Sequence, residues 1–211
     1  GVYWLMRLNR IDFAGREKMM FEKSRDTIET ERLILRPWEA TQEFAEGLYS
    51  YAKSDNVGPH AGWKPHADVE ESMNIINNLF LNDPCGWAIV LKENGRIIGH
   101  IGAYEDSARE SVNSMEIGYA LSDEYWYKGI MTEACRAVMN YCFNRYGLAI
   151  MAIRTSEVNL RSQGVIRKCG FTYEGTLRKA YHIFTGIDRD SRFYSITREE
   201  WEVLEWAEIG E

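Results

Sequence analysis

The chain has 211 residues, of which 45% are apolar and 27% charged, with a formal net charge of −7. Those values describe an ordinary globular chain with one domain, or one domain with an appendage. The acidic balance argues against a general nucleic-acid binder, which would show a basic face, and suits a cationic substrate such as an amine.

The first residues, GVYWLMRLNRIDFAGREKMM, do not form a signal peptide, because charges interrupt each apolar stretch. The reading is an extension over residues 1–27 and a domain over 28–211. The natural start is expected at Met19 or Met20, with an N-terminal helix as the other reading. Residues 32–36 form a short strand that stops at Pro37. Residues 41–54 read as a helix with Phe44, Leu48, Tyr51 and Ala52 on one face and Thr41 in the cap region. Residues 55–67, rich in Pro, Gly and His, form a loop. A second helix spans 68–80, where Asp68 and Glu71 make a capping-box-like pair. Strands follow at 86–91 and 96–104 around the turn Glu93-Asn94-Gly95, and a third lies at 112–121. A helix from Gly129 to Tyr146, a strand at 149–155, a helix at 160–168, strands at 171–178 and 192–197 and a helix at 198–207 complete the chain. A β-meander followed by a β–α–β crossover implies a mixed α/β (α+β) fold with one central sheet.

No apolar run approaches the ~20 residues of a membrane span. Cys85, Cys135, Cys142 and Cys169 form no CxxC pair, which removes zinc and thioredoxin-type readings. Cys135 and Cys142 lie ~10.5 Å apart along one helix face, too far for a disulfide. Reduced thiols in the cytoplasm are therefore expected. His60 and His66 lack partners at metal spacing, so no metal is expected, and their loop, with Trp63, should line an acceptor mouth. Trp38, Trp87, Trp126 and Trp201 read mostly as core.

The helix entry Lys128-Gly129-Ile130-Met131 has no Ser, Asp or Asn immediately before it. A helix start leaves N–H groups unpaired and partly positive, so an anion could complete the cap beside Gly129 and Lys128. A cap by Asp123 from upstream, or by water, is the plainer reading.

Five stretches, TERLILRPW, EIGYALSDEYWYKGIMTEA, RTSEVNLRSQGVIRKCGF, EGTLR and YSITREEW, occur in order across residues 28–202. Together they resemble the GCN5-related N-acetyltransferase (GNAT) superfamily, and within it the ribosomal-protein-alanine N-acetyltransferases of the RimJ and RimL type. The resemblance implies a single domain whose mostly antiparallel mixed sheet, of about seven strands flanked by helices, splays at an acetyl-CoA site. It implies that backbone N–H groups of Lys128, Gly129, Ile130, Met131 and Thr132 hold the pyrophosphate, with Trp126 and Tyr127 in the same loop. Met131 is bulkier, and Tyr127 less flexible, than the residues usual at those positions. Pantetheine would add along Ile117, Gly118 and Tyr119, as an extra strand does. Asn159 would contact it or cap the next helix, and Ser162 would lie near the thioester sulfur.

The resemblance further implies direct acetyl transfer to a primary amine in a ternary complex, with acetyl-CoA as cosubstrate. Glu116 is the candidate base acting through water, or else the ion-pair partner of Arg154. A backbone N–H near Tyr119 would stabilise the oxyanion. The superfamily's usual acid, a Tyr seven residues after the Asn, is replaced by Ile166, and Tyr181 is the substitute candidate, or a rim residue. The acceptor is a protein N-terminus, such as that of a ribosomal protein, or a small amine; a non-catalytic acyl-CoA-binding module is the contrasting reading. No nucleic acid or membrane partner is expected, and a homodimer is compatible with the resemblance.

Overall fold

The computed structural model describes residues 21–210. The expectations for residues 1–18 lie outside them. The chain opens on a two-residue strand, β1 (Ile28–Glu29), paired antiparallel with β2 (Leu33–Pro37). Helix α1 (Gln42–Ala52) starts where the Thr41 hydroxyl accepts from Phe44 N–H, and it buries Phe44, Leu48 and Tyr51. The loop expected over 55–67 contains one helical turn, α2 (Gly58–Ala61), with Pro59 in its first turn and Gly62 at φ 90° closing it. Four residues are too few to show helical periodicity, and Pro and Gly read alone as loop. Helix α3 (Val69–Asn78) is capped by Asp68, which accepts from Glu71 N–H at 2.8 Å.

A meander follows: β3 (Cys85–Leu91), β4 (Ile97–Glu105) and β5 (Ser114–Leu121), each antiparallel to the last. Helix α4 (Ile130–Tyr146) crosses over to β6 (Ile150–Ser156), which runs parallel to β5. Helix α5 (Leu160–Lys168), strands β7 (Thr172–His182) and β8 (Asp188–Thr197) and helix α6 (Arg198–Glu202) complete the fold. The single sheet has the order β1-β2-β3-β4-β5-β6-β8-β7, eight strands where about seven were expected. The addition is β1, too short to leave an alternating pattern. The last hairpin is longer than its apolar residues indicate, because β7 is a largely exposed edge strand and the start of β8 is polar. The terminal helix ends at Glu202 rather than 207.

Alternation along the strands sends side chains to two separate cores. One joins Ile101, Met115, Ile117 and Ile153 to α4, α5 and Trp201. The other joins Ala88, Val90 and Ala120 to α1 and Ile76 of α3. All four cysteines are buried and free. Residues before β1 pack on this frame: Trp87 Nε1 donates to Asp26 C=O at 2.8 Å, and Tyr146 Oη donates to Glu22 C=O at 2.9 Å.

Trp201 anchors the C-terminal end. It is fully buried, stacks on Phe143 at 4.7 Å and donates from Nε1 to Asn140 Oδ1 at 3.0 Å. Trp201→Ala should cost about 3–5 kcal/mol and lower the melting temperature by roughly 10 °C. A thermal melt followed by circular dichroism reads this; a drop of a degree or two would show that α6 is not part of the cooperative unit.

Candidate active site

The site begins where sheet pairing stops. β5 and β6 pair over four positions, from Ser114↔Ile150 to Ile117↔Ile153. Beyond Ile117, β5 continues to Leu121 bonded to β4, while β6 continues from Arg154 to Ser156 bonded to β8. The two strands diverge and leave a wedge through the sheet, which holds a cavity of about 380 Å³. From Gly118 onward, the edge of β5 that faces the wedge has no strand neighbour. Of the three expected pantetheine positions, Ile117 therefore closes the paired part, whereas Gly118 and Tyr119 lie on the open edge.

The N-terminus of α4 faces this wedge. Gly129 sits at φ 75°, outside the range favoured by other residues, and no side chain caps the helix. Asp123 does not supply the cap: its Oδ2 accepts from Asn56 Nδ2 at 2.7 Å and Ser54 Oγ at 3.3 Å. The helix ladder starts with Glu133 N–H donating to Gly129 C=O at 3.1 Å, so the N–H groups of Ile130, Met131 and Thr132 precede its first bond. Ile130 and Met131 turn their side chains into the core, so the bulk of Met131 does not fill the entry. Tyr127 is held at φ 62° with its ring 87% exposed. Lys128 places its ammonium 5.1 Å from the centre of the Tyr125 ring.

Two residues that the sequence reading did not single out brace this entry. Glu133, in the first turn of α4, accepts from Thr30 Oγ1 at 2.6 Å, Arg32 N–H at 2.8 Å and Arg32 Nε at 2.7 Å. Arg32 Nη1 also donates to Lys128 C=O at 2.9 Å. Burial disfavours the Glu133 carboxylate, but the bonds from Thr30 and Arg32 outweigh it and hold the carboxyl below the usual range. The available signal was a first-turn acid together with the arginine of TERLILRPW.

The wedge has two chemically different halves. On the α4/α5 face, Tyr119 Oη and Ser162 Oγ form a hydrogen bond of 3.0 Å. Burial pushes the Tyr119 phenol well up, so it is a neutral hydroxyl. Asn159 Oδ1 accepts from Ser162 N–H at 3.2 Å, so Asn159 does cap α5 and in doing so fixes Ser162. Ile166 is fully buried in the core. On the α1/α3 face, Arg154 grips both oxygens of Glu116 and also donates to Ser107 Oγ at 3.0 Å. Tyr104 lies over Gly118: a Cβ there would come within 2.4 Å of the phenol oxygen. Tyr181 lines the same cavity, with its phenol raised by burial and partly offset by Ser156 and Arg189.

The loop between α1 and α3 contributes differently from expectation. Val57, His60 and Ala61 line the cavity. Trp63 instead turns inward: its Nε1 donates to Ala52 C=O at 3.3 Å and its ring lies 5.7 Å from His100. His66 is tied to Ser72 at 2.8 Å, and His100, bonded to Tyr51 at 2.9 Å, is driven by burial down to about 3. Trp126 is only partly core. It packs against both apolar cores, lines the cavity and carries Arg161 3.7 Å above its ring. Among the described residues no group of three or more His, Cys, Asp or Glu could hold a metal ion, and no helix is long and apolar enough to cross a membrane.

The family model "Acetyltransferase (GNAT) domain" matches residues 32–172. The "uncharacterized N-acetyltransferase YoaA" of Bacillus subtilis is 29% identical over 175 residues, covering 81% of this chain and 96% of its own. Mycobacterium smegmatis RimJ in complex with CoA-disulfide superimposes with a TM-score of 0.69 at 22% identity, covering 83% of this chain and 89% of its own. The ribosomal-protein-S5-alanine acetyltransferase of Vibrio fischeri does so with a TM-score of 0.66 at 21% identity, covering 83% and 99%. An N-acetyltransferase built around a splayed sheet is the class that these findings define. The chain belongs to the GNAT family.

The family uses acetyl-CoA, and an uncapped, positively polarised helix entry fits its pyrophosphate. Gly129→Glu should raise the Kd for acetyl-CoA at least tenfold, roughly 1.4 kcal/mol or more, in a calorimetric titration. Gly129→Ala carries the same left-handed strain of about 1–2 kcal/mol without the charge, and so serves as the reference. Equal affinities for the two variants would exclude a phosphate at this helix entry.

Proposed function

We propose that this protein transfers the acetyl group of acetyl-CoA to the N-terminal amine of a protein, by direct attack in a ternary complex. The observation that carries the reading is the wedge itself. It has an uncapped helix entry at one end, a hydroxyl pair on one face and a carboxylate–guanidinium pair on the other. Bound acetyl-CoA would supply a thioester carbonyl. Each remaining step belongs to this chain's own residues. The unpaired N–H groups of Ile130, Met131 and Thr132, with those of Lys128 and Gly129, hold the diphosphate. The open edge of β5 at Gly118 and Tyr119 takes the pantetheine amides as a neighbouring strand would.

The incoming amine must be neutral to attack. Glu116, on the acceptor side, takes its proton through a water while Arg154 fixes the carboxylate's orientation. A β5 N–H at or next to Tyr119 donates to the oxyanion. Ser162, hydrogen-bonded to Tyr119, relays to the departing sulfur the proton that the attached nitrogen gives up as the intermediate collapses, so the serine ends protonated. A thiol pKa of about 8.5 makes this last step helpful below that pH and dispensable above it. Tyr181 stands on the acceptor side and orients the amine. A small amine is the second reading, because Val57, His60 and Ala61 line the cavity together with Tyr104 and Tyr181 and so can bound an acceptor pocket.

The test is acetyl-CoA-dependent thiol release with short peptides beginning in Ala, Ser or Met, set against spermidine and free amino acids. Peptide turnover supports the proposal, and turnover confined to small amines supports the second reading. Ser162→Ala should lower kcat about tenfold at pH 7, less than the roughly hundredfold or more of a general acid because a thiolate leaves readily, with the difference narrowing above pH 9 and the Kd for acetyl-CoA unchanged. A kcat equal to wild type at both pH values would remove Ser162 from proton delivery.

A further inference from the structure

The acceptor side of the wedge has a charge pattern that the overall acidity does not foreshadow. His60 on α2 lies with its ring 6.4 Å from Trp126, edge to face. Arg161, at the start of α5, stacks on that same indole at 3.7 Å. Arg189 on β8 is the register partner of Tyr181 on β7. Arg161 and Arg189 both lie close enough to His60 to disfavour its protonation, after burial, and Arg189 acts on Tyr181 as well. Arg161 lines the cavity, and Arg189 stands across the β7–β8 ladder from Tyr181, which lines it too.

Both arginines are half-buried, and among the described residues neither has an ion-pair partner. Of the other arginines nearby, Arg154 is held by Glu116 within the cavity and Arg32 by Glu133 outside it. Partly buried guanidinium groups are normally paired, because removing charge from water without a partner is unfavourable. Glu157 also acts on Tyr181, so one carboxylate stands on the Tyr181 side of this pair. Two like charges facing one opening repel a polycation and attract an anion.

We propose that Arg189 and Arg161 form an anion subsite at the acceptor mouth, so that the preferred acceptor is an amine accompanied by a carboxylate one or two residues away. This deepens the N-acetyltransferase reading and rests on it. The matching chemistry is an acidic N-terminal segment, or an amino acid using its own carboxylate, and not a polyamine. Each guanidinium can donate two parallel hydrogen bonds to a carboxylate, which sets distance and direction as well as charge. Neutral His60 beside them leaves space and an acceptor nitrogen for the amine.

The experiment compares kcat/KM for Ala-Asp-amide, Ala-Asn-amide, free alanine, alaninamide and spermidine, with wild type and Arg189→Ala. Ala-Asp-amide should exceed Ala-Asn-amide about tenfold, as expected for one charge-assisted contact. The gap should close in Arg189→Ala through acceptor KM, with the KM for acetyl-CoA unchanged. Free alanine exceeding alaninamide instead would assign the subsite to the α-carboxylate of a small acceptor. A preference for spermidine, no charge preference, or an Arg189→Ala effect confined to acetyl-CoA would overturn the inference. If no acceptor turns over, titrating the CoA-loaded protein with Ala-Asp-amide and Ala-Asn-amide reads the same preference at equilibrium. There, equal binding overturns the subsite, while the absence of turnover counts against the proposed transfer to these acceptors.

Discussion

The structure depends on a sheet that is left incomplete at one seam. β5 and β6 share a ladder for four residues and then part, so backbone groups in the middle of the molecule lack a strand neighbour. Buried main-chain donors and acceptors are rarely left without partners. The rest of the fold makes the opening sustainable by completing both strands on their outer sides, β5 against β4 and β6 against β8. It also separates two apolar cores, one on each face, so that each side of the wedge is rigid without support from the other. A through-passage in a sheet is otherwise costly; on the proposed function it lets a long cosubstrate approach from one face and an amine from the other.

The charges around the seam follow the same division. Glu133 and Arg32 lie outside the wedge and hold the helix entry in position from β2. That contact joins the start of the domain to the phosphate-facing turn about a hundred residues later, which gives the TERLILRPW stretch a physical role beyond forming a strand. Glu116 and Arg154 lie on the α1/α3 face, bridging the two strands near the point where they part. With both oxygens engaged by one guanidinium, Glu116 has a fixed orientation, and removing either partner would leave a buried charge uncompensated. The pair therefore serves geometry whether or not a proton passes through it. The same logic makes Tyr119 and Ser162 a unit: Asn159 caps the helix that carries Ser162, and the buried phenol completes the serine's hydrogen bonding.

Much of this arrangement was legible because it rests on local pattern. The Thr41 and Asp68 caps and the meander with its Asn-Gly turn are set by residues adjacent in sequence. The uncapped entry at Gly129 was legible as a question, and the structure removes Asp123 as the answer by giving its carboxylate to Ser54 and Asn56. What was not legible depends on strand order. β8 inserts between β6 and β7, so Arg189 comes near His60, 129 residues earlier, by a route no periodicity reveals. Trp63 was misassigned for a related reason. Large aromatics read alike in sequence, and only the packing around α2 decides that Trp63 turns toward Ala52 and His100.

That late strand order also reconciles the acidic chain with its basic rim. The net charge of −7 is a sum over the surface, whereas an acceptor meets the few groups at the wedge. At separations beyond about 10 Å, exposed charges are screened at ordinary ionic strength, but half-buried ones a few ångströms from the ligand are not. On the proposed subsite reading, Arg161 and Arg189 outweigh distant carboxylates in setting what enters. On the proposed reading the anionic cosubstrate has its own donors, the uncapped N–H groups at the α4 entry. An enzyme that must hold a polyanion on one face and select an amine on the other gains from this separation. On the proposed reading the helix dipole, with Lys128 beside it, serves the phosphates, while Arg161 and Arg189 choose the acceptor.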